Sequence, residues 1–365
     1  MYPMSFNGLP VVTGLTVRAV RVPMPVPHRT ASGVITESPL VLVDIPTSDG
    51  VVGHSMVFTY TVAALGPTAA LIQNLGPLIQ GRPLAPAQIE RELAARFRLL
   101  GTQGLVGMAL AGIDMALWDA LARTHQTSLV QLLGSVEQPV RAYGAVGYDG
   151  PLESARVAEN WALQGFTGVK AKIGYPNVKQ DLEVIRAIRH AIGDDVAVMV
   201  DYNQSLTPTE AMQRLRLLDN EGLTWVEEPT LAHDYAGHAA IAREIRTPIQ
   251  CGENWWGALD LCHAIEARAS DYVMPEVMKM GGVTGWLRAV SIAETHSLQV
   301  STHLWSETSA QLLCTTRMAH WLEYSDWWNP ILSEPLRIDR GMASIEGVRG
   351  TGVEWNEEAV SRYLV

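Results

Sequence analysis

Short apolar runs alternate with amphipathic stretches through the second half of the chain, from Pro139 onward. The runs have the length and β-branched content of buried strands, and the stretches between them, such as 181–192 and 208–220, follow the period of helices. Eight runs are found, at 140–146, 168–173, 196–201, 224–227, 248–252, 271–275, 299–302 and 320–323. Regular alternation of strands and helices predicts a parallel α/β barrel over residues 136–326.

The first part of the chain has a different pattern. Strand-like runs come first and helical periods follow after Ala63, which predicts an α+β domain over residues 1–135. The strands are at 16–24, 39–45 and 51–58, and the helical stretches are at 85–99 and 106–123. Residues 25–38 are rich in proline and too long for a hairpin turn, so we interpret them as a lid loop. Residues 327–365 are expected to pack back on the first domain.

Composition and charge restrict the class of protein. The 365 residues carry a net charge of −11 without a basic run, which argues against a nucleic-acid surface. No stretch approaches the roughly 18 uninterrupted apolar residues of a membrane span, and residues 1–7 lack the pattern of a secretory signal. The cysteines Cys251, Cys262 and Cys314 are odd in number and lack CxxC spacing, which suits buried thiols in a reducing compartment. We therefore expect a cytoplasmic protein whose partner is a small molecule.

Seven polar residues end or follow the apolar runs at intervals of 20 to 29 residues. They are Lys172, Asp201, Glu227, Glu253, Glu276, His303 and Glu323. The interval is about the length of one strand, one helix and two short loops, and in a parallel barrel the carboxyl ends of the strands face a shared mouth. The seven side chains are therefore expected to converge on one pocket, which favours an enzyme.

Three of these residues, Asp201, Glu227 and Glu253, are carboxylates at the ends of successive strands. Like charges at short range repel, so such a cluster requires protonation or a cation. All-oxygen ligation with room for a substrate favours Mg²⁺ over zinc, which prefers nitrogen and sulfur ligands. Asn203 lies on the same strand face as Asp201 and could contact a ligand. The alternative is that each acid is only a helix cap or a solvated loop end.

Lys170 and Lys172 lie on one face of the strand at 168–173, because side chains alternate along a strand. Two ammonium groups in one pocket disfavour each other's protonation, so we expect a lowered pKa that lets one lysine act as a base. The other lysine can hold an anionic group of the substrate. An exposed strand face is the alternative interpretation of this pair.

His303 follows the seventh run of the barrel and Glu276 follows the sixth, so their side chains are expected to meet. A carboxylate bonded to one imidazole nitrogen leaves the other nitrogen as a base. Lys172 and His303 then approach the metal from opposite sides, which suits removal of a proton next to a carboxylate through an enediolate. Glu323, if protonated, could donate a hydrogen bond to the enediolate oxygen.

Five segments of the barrel and one helix of the first domain carry specific motifs. They are residues 169–176, 200–206, 227–230, 252–255 and 279–286, with helix residues 112–119. Together they resemble mandelate racemase and its relatives in the enolase superfamily, from about Gly14 to Val365. The resemblance implies a modified (β/α)₇β barrel with an N-terminal α+β capping domain. It also implies homo-oligomers, commonly octamers.

The resemblance further implies roles for individual residues. The implied Mg²⁺ ligands are Asp201, Glu227 and Glu253. Lys172 would be the base for one enantiomer of a small carboxylate substrate, and His303 with its carboxylate partner the base for the other. The positions that match substrate contacts are Lys170, Asn203 and Glu323, to which we add Leu304 and, from the lid, His28 and Arg29.

Three departures from the family pattern matter. Glu276 stands where the family has Asp, and the added methylene shifts the carboxylate by about 1.5 Å unless the backbone compensates. His28, Arg29 and Ser32 make the lid more polar than a cover for a phenyl ring. Residues 144–147 lack the small hydroxyl and the histidine that mandelate racemase carries there. The family chemistry survives these changes, but they argue against mandelate itself as substrate.

Three functions are compatible with this pattern. The first is a Mg²⁺-dependent racemase or epimerase of a 2-hydroxy or related α-substituted carboxylate. The second is an acid-sugar dehydratase, in which the His303 imidazolium expels the β-hydroxyl group and Arg29 and His28 bind hydroxyls or a second carboxylate. The third is a barrel that binds metal and ligand without catalysis. A pair of opposed bases argues against the third.

Overall fold

The computed structural model describes residues 8–30 and 33–365. Within this part of the chain, the first elements are β1 (Thr16–Thr30), β2 (Gly33–Pro46), β3 (Val52–Phe58), α1 (Val62–Ile79), α2 (Pro86–Arg96), α3 (Gly104–Thr124) and α4 (Leu129–Leu132). The next are β4 (Val140–Val146), α5 (Gly150–Leu163), β5 (Gly168–Lys172), α6 (Val178–Ile192), β6 (Ala197–Asp201), α7 (Pro208–Leu218), β7 (Val226–Glu227), α8 (Tyr235–Glu244), β8 (Ile249–Cys251), α9 (Gly257–Ala267), β9 (Tyr272–Val273), α10 (Gly282–Thr295), β10 (Gln299–Val300), α11 (Ser306–Cys314) and β11 (Leu322–Tyr324). A 3₁₀ turn (Asn329–Ile331), β12 (Arg337–Asp339), β13 (Met342–Ser344) and α12 (Glu357–Tyr363) end the chain.

Strands β4 to β11 confirm the predicted parallel barrel. They pair in chain order from β4 to β10, and β11 pairs with β4. A parallel bridge between Val300 and Ala319 joins β10 to the segment before β11 and closes the ring. Helices α5 to α11 connect successive strands, as expected for (β/α)₇β. The interior is filled by large side chains, among them Tyr143, Met199, Trp225, Met274 and Trp321.

Each predicted barrel run overlaps an observed strand, but most of the observed strands are shorter. The run at 271–275, for example, contributes only Tyr272–Val273 to the ladder. The chain leaves the ladder early at the mouth, where Glu276 and His303 both lie three residues beyond the end of a strand. The hydrophobic pattern therefore located the strands and overestimated their lengths.

The capping domain is a three-stranded antiparallel sheet in the order β1–β2–β3, covered by helices. β3 lies very close to α3, since a Cβ atom at Gly53 would meet the carbonyl oxygen of Ala116 at 2.1 Å. Only glycine allows this approach. Asp114 of α3 reaches the barrel and accepts hydrogen bonds from the hydroxyl and the backbone N–H of Thr284, at 2.6 and 2.9 Å. These bonds hold the capping domain on the barrel.

Residues 25–38 differ from the lid loop that the sequence predicted. β1 and β2 continue as an antiparallel hairpin as far as the pair Thr30 and Gly33, with a register shift between Pro23 and His28. The prolines suggested a loop, but β1 is an edge strand, and an edge strand tolerates residues without a backbone N–H. The prediction of an irregular loop is therefore wrong for the described part of this segment. Ser32 lies outside the described residues.

The C-terminal segment contacts both domains. β13 pairs antiparallel with the start of β4 and extends the barrel sheet. Leu364 forms a bridge with Val20 of β1, and Arg18 of β1 pairs with Glu357 of α12 at 2.5 Å. The end of the chain therefore returns to the sheet of the capping domain.

Two helices, α1 and α3, are long and apolar enough to cross a membrane by length and composition alone. The apolar window of α3 is 78% buried between the sheet and the other helices, and core helices of soluble proteins pass the same test. For α1 the buried share is 33%, with Leu65, Ile72 and Ile79 facing the core. The two helices are weak evidence for a membrane span.

Candidate active site

The carboxyl ends of the barrel strands bring the predicted polar residues together. Lys172, Asp201 and Glu227 are the last residues of β5, β6 and β7, and Glu323 lies in β11. Glu253 follows β8 by two residues. The ends of the strands thus place these side chains around one mouth of the barrel, and each of these residues is buried.

The three predicted metal ligands form one buried cluster. Asp201, Glu227 and Glu253 each offer a carboxylate oxygen, and these oxygens lie within 4.8 Å of one another. Oε2 of Glu253 and Oδ1 of Asn203 are buried and accept no hydrogen bond from any residue that the structure describes. Buried oxygens left without donors cost free energy unless a ligand or ion satisfies them. An all-oxygen set of this kind fits Mg²⁺.

The two lysines share a face of β5 but have different partners. Nζ of Lys170 is 2.6 Å from Oε1 of Glu227 and 3.0 Å from Oε1 of Glu323, and Nζ of Lys172 donates to Asp201. Burial and the charge of Lys170 lower the pKa of Lys172, but the carboxylates of Asp201, Glu253 and Glu227 together outweigh them and raise the pKa above its usual value. The expected lowering of the lysine pKa is therefore wrong, because the sequence pattern did not show how closely the carboxylates surround this ammonium group.

His303 and Glu276 form the predicted pair despite the added methylene. Nδ1 of His303 is 2.5 Å from Oε2 of Glu276, and Nε2 of His303 is 3.3 Å from Oε2 of Glu253. Burial opposes the charged imidazole, but Glu253 and Glu323 raise the pKa of His303 above its usual value. With Nδ1 held by Glu276, Nε2 is the nitrogen that faces the acidic cluster.

Glu323 is not the protonated donor that the sequence suggested. Burial favours its neutral form, but Lys170 and His303 outweigh burial and lower the pKa of Glu323 to about 2. The ionised carboxylate accepts a hydrogen bond from the backbone N–H of Leu304 at 3.2 Å. Leu304 is 2% exposed and has a left-handed backbone conformation, with φ of 50°. Glu323 thus holds Lys170 and the turn after His303.

The remaining predicted substrate contacts have partners of their own. Asn203 is held by Asp201, which accepts from its backbone N–H at 2.6 Å and from Nδ2 at 3.1 Å. The ring of His28 lies 4.8 Å from that of Trp327, and burial together with the charge of Lys172 lowers the pKa of His28 to about 3. Arg29 pairs with Asp149 at 3.0 Å. His28 therefore faces the site as a neutral ring, and Arg29 already has a carboxylate partner.

Sequence reasoning missed several residues of the site. Glu228 is fully buried beside Glu227 and accepts from Nδ2 of Asn254 at 2.7 Å, while Lys279 donates to Oδ1 of Asn254 at 2.7 Å. Glu228 and Lys279 lie in segments that carried the resemblance, so their motifs could have identified them. Tyr60 of the capping domain donates to Glu276 at 2.6 Å, and no sequence pattern indicated it.

Comparison with known proteins gives consistent results. Residues 12–134 match the N-terminal domain of the mandelate racemase / muconate lactonizing enzyme family, and residues 153–359 match the enolase C-terminal domain-like family. A crystal structure of an enolase from Bradyrhizobium, complexed with magnesium and mandelic acid, is 42% identical with a TM-score of 0.95, over 99% of this chain and 100% of that one.

More distant relatives have diverse activities. L-talarate/galactarate dehydratase from Salmonella typhimurium is 29% identical over 89% of this chain and 82% of its own length. A hydrophobic dipeptide epimerase from Enterococcus faecalis is 28% identical over 78% of this chain and 79% of its own length. Dehydratases and epimerases thus share this architecture.

The capped barrel and its buried acidic cluster define a metal-dependent enzyme. The chain belongs to the mandelate racemase / muconate lactonizing enzyme family of the enolase superfamily. The prediction of Mg²⁺ as cofactor is confirmed, since the three carboxylates form one cluster and solved relatives contain magnesium. Epimerase and dehydratase activities are both represented among its relatives, so family membership alone does not choose between isomerase and lyase chemistry.

Proposed function

We propose that this enzyme racemises a 2-hydroxy carboxylate that carries an aromatic substituent. The observation that carries the proposal is the placement of the two bases. Lys172 contacts Asp201 and His303 contacts Glu253, so the two bases flank different carboxylates of the acidic cluster. A substrate between them has one proton acceptor on each face, which is what inversion at a carbon requires.

Separate residues of the site would bind the metal, transfer the proton and hold the substrate anion. Asp201, Glu227 and Glu253 would hold Mg²⁺, which supplies Lewis-acid stabilisation of a substrate carboxylate. In their neutral forms, Nζ of Lys172 would accept the α-proton on one face and Nε2 of His303 would accept it on the other, and the protonated forms would return it. When one base removes the proton, the C–H electron pair moves into the carboxylate, and the opposite base returns a proton to carbon. The Lys170 ammonium, held by Glu227 and Glu323, offers positive charge to the substrate anion.

Aromatic residues next to the candidate site support an aromatic substituent. Phe58 lies 4.7 Å from Tyr60 and 5.8 Å from Trp327 between ring centroids, and His28 lies against Trp327 as a neutral ring. Arg29 is engaged by Asp149. Of the lid residues that the sequence marked as polar, His28 thus packs against Trp327 and Arg29 has a carboxylate partner, and we call the rings of His28, Tyr60 and Trp327 the aromatic wall. A relative that is 42% identical was crystallised with mandelic acid, which agrees with this choice.

Acid-sugar dehydration is the second candidate. Its support is the 29% identity to L-talarate/galactarate dehydratase, which extends over most of both chains. The same residues would serve, with one base removing the α-proton and the His303 imidazolium donating a proton to the departing β-hydroxyl. A substrate of this kind carries a second polar end, for which the aromatic wall offers few partners.

Deuterium exchange separates the two candidates. The protein is incubated in D₂O with Mg²⁺ and each enantiomer of mandelate, or with galactarate. We expect α-deuterium in both enantiomers of mandelate and interconversion of the two. Formation of a 2-keto product from galactarate, without exchange into mandelate, would instead support dehydration.

Replacement of each base makes this assay specific. Lys172→Ala and His303→Asn should each reduce exchange on one face by at least about 100-fold and leave exchange on the other face measurable, because general bases typically contribute 10²- to 10⁴-fold. Unchanged exchange in both variants would remove the assignment of these residues as bases.

A further inference from the structure

A tyrosine of the capping domain contacts the histidine pair of the barrel. Oη of Tyr60 donates a hydrogen bond of 2.6 Å to Oε2 of Glu276, the same oxygen that lies 2.5 Å from Nδ1 of His303. The other carboxylate oxygen of Glu276 is buried and has no hydrogen bond from any described residue. One oxygen of Glu276 thus joins a capping-domain hydroxyl to the imidazole.

The backbone around Tyr60 fixes the direction of its side chain. Tyr60 has φ of 58°, a left-handed conformation that is unfavourable for a bulky residue. The hydroxyl of Thr59 donates to the carbonyl oxygens of Pro39 and Thr61, both at 3.1 Å, and the side chain of Thr61 caps α1. An unfavourable conformation persists where the surroundings determine it, and here it aims the phenol at the barrel.

The phenol ring of Tyr60 also contacts Lys279. Nζ of Lys279 lies 4.6 Å from the centroid of the Tyr60 ring and 4.0 Å from Oε2 of Glu276. Nζ of Lys279 in turn donates to Asn254. Tyr60, Glu276 and Lys279 are therefore packed together as one unit, with the hydroxyl as the part that touches the carboxylate.

The contact with Tyr60 compensates for the longer side chain of Glu276. A glutamate has one more rotatable bond than the aspartate of the family pattern, so its carboxylate has more positions available. The hydroxyl of Tyr60 restricts those positions to the one that meets His303. Lys172 lies in a barrel strand and pairs with Asp201, so it has no share in this contact.

We propose that Tyr60 is a positioning residue that clamps Glu276 so that His303 presents Nε2 to the substrate, and that the capping domain thereby supports proton transfer on the His303 face but not on the Lys172 face. The proposal rests on the proposed two-base function. It assigns to Tyr60 an action through Glu276 and no contact with the reacting carbon.

The test is a face-selective exchange assay with Tyr60→Phe, which removes only the hydroxyl and keeps the ring that packs on Phe58 and Lys279. Exchange of the α-proton is measured in D₂O with Mg²⁺ for (R)- and (S)-mandelate separately. The His303 face is defined as the enantiomer whose exchange is abolished in His303→Asn. Tyr235→Phe, which removes from α8 a hydroxyl that lies beside Asp260 of α9, is the matched control.

We expect Tyr60→Phe to reduce exchange on the His303 face by about 10- to 100-fold, the range for loss of a hydrogen bond to a charged group. Exchange on the Lys172 face should change by less than about threefold, and Tyr235→Phe should change neither. In a Glu276→Asp background, where the shortened side chain cannot meet both partners, Tyr60→Phe should have little further effect. An equal fall on both faces, or no fall on either, would overturn the proposal.

A second readout does not depend on turnover. In protein with ¹⁵N-labelled histidine, the signals of Nδ1 and Nε2 of His303 report the tautomer and the hydrogen bond to Glu276. We expect these signals to shift in Tyr60→Phe and to keep their positions in Tyr235→Phe. If no α-exchange occurs with either enantiomer in the unaltered protein, the proposed function fails, and unchanged His303 signals in Tyr60→Phe would separately refute the clamp.

Discussion

Individual side chains in this site depend on partners from several strands. Lys170 and Lys172 are two residues apart on one strand face, yet one pairs with Glu227 and Glu323 and the other with Asp201. The sequence predicted that the two ammonium groups would act mainly on each other. In the folded protein the carboxylates surround them, and attraction to these carboxylates outweighs the mutual repulsion.

The metal assignment predicts the effect of Asp201→Ala. We expect Mg²⁺ affinity, measured by titration calorimetry, to fall more than about 100-fold, because one of three carboxylate ligands is lost. For the unaltered protein, Mg²⁺ at about a hundred times its dissociation constant should increase the free energy of unfolding by about 2.7 kcal/mol, and at the same concentration the increase in the variant should be about 0.4 kcal/mol or less.

The matched control is Asp194→Ala, which removes an exposed acid outside the site. Its affinity for Mg²⁺ and its circular dichroism spectrum should equal those of the unaltered protein. Retention of Mg²⁺ binding in Asp201→Ala would show that these carboxylates are not the ligands. Loss of the spectrum in that variant would show that Asp201 is required for folding.

At the scale of elements, the hairpin of β1 and β2 is the part that the hydrophobic pattern described least well. The backbone N–H of Tyr148 donates to the carbonyl oxygen of Arg29 at 3.0 Å, so the hairpin is attached to the loop after β4 by main-chain and side-chain contacts. The segment around Arg29, which the sequence predicted to be part of a lid loop, is thus bonded to the barrel.

The pair Arg29 and Asp149 gives a prediction about the role of this hairpin. If Arg29 acts through Asp149, then Arg29→Gln and Asp149→Asn should raise the KM for mandelate by similar factors, up to about fivefold, because a half-exposed ion pair contributes up to about 1 kcal/mol. Steady-state kinetics with both enantiomers provide the measurement.

The two variants also test the role that the sequence suggested for Arg29. If Arg29 binds the substrate, then Arg29→Gln will raise KM far more than Asp149→Asn does. Arg156→Gln, which breaks an exposed ion pair with Glu153 on α5, is a suitable control and should leave KM unchanged.

At the scale of the whole molecule, both domains are needed to complete one pocket. The barrel supplies the acidic cluster and both bases, while the capping domain supplies Tyr60, which contacts Glu276, and His28, which lies near Lys172. Asp114 and the returning C-terminal segment hold the two domains together. A change in the capping domain can therefore alter chemistry in the barrel.

The pH dependence of stability provides a prediction for the whole fold. His238 of α8 is 1% exposed, and burial lowers its pKa to about 4. Because the folded pKa lies below the unfolded value near 6.5, protons bind the unfolded chain more tightly, and stability present above pH 6.5 is lost as the pH falls toward 4. The contribution of His238 to this loss is about 3 kcal/mol by pH 4.

Denaturant titrations of His238→Gln from pH 7 to pH 4 measure this contribution. The variant should lose less stability over that interval than the unaltered protein, and the exposed His296→Gln should behave like the unaltered protein. A variant with the same pH dependence as the unaltered chain would contradict the prediction.

The sequence determined the order of strands and helices in the barrel and the identity of the residues at the strand ends. Both are local properties, because the alternation of apolar and polar residues and the position of a residue after a strand are encoded within a few neighbouring residues. The three metal ligands, the two lysines and the pair of Glu276 with His303 could therefore be predicted before the fold was known.

Only the tertiary structure decided which charges meet and which protonation states they favour. The pKa of Glu323 depends on Lys170 from β5 and His303 from the loop after β10, and that of His28 depends on burial of its ring, which lies against Trp327, and on the charge of Lys172. Tyr60 reaches Glu276 across 216 positions of sequence. Electrostatic interactions act through space and depend on burial, so their sum exists only after residues distant in sequence have been packed together.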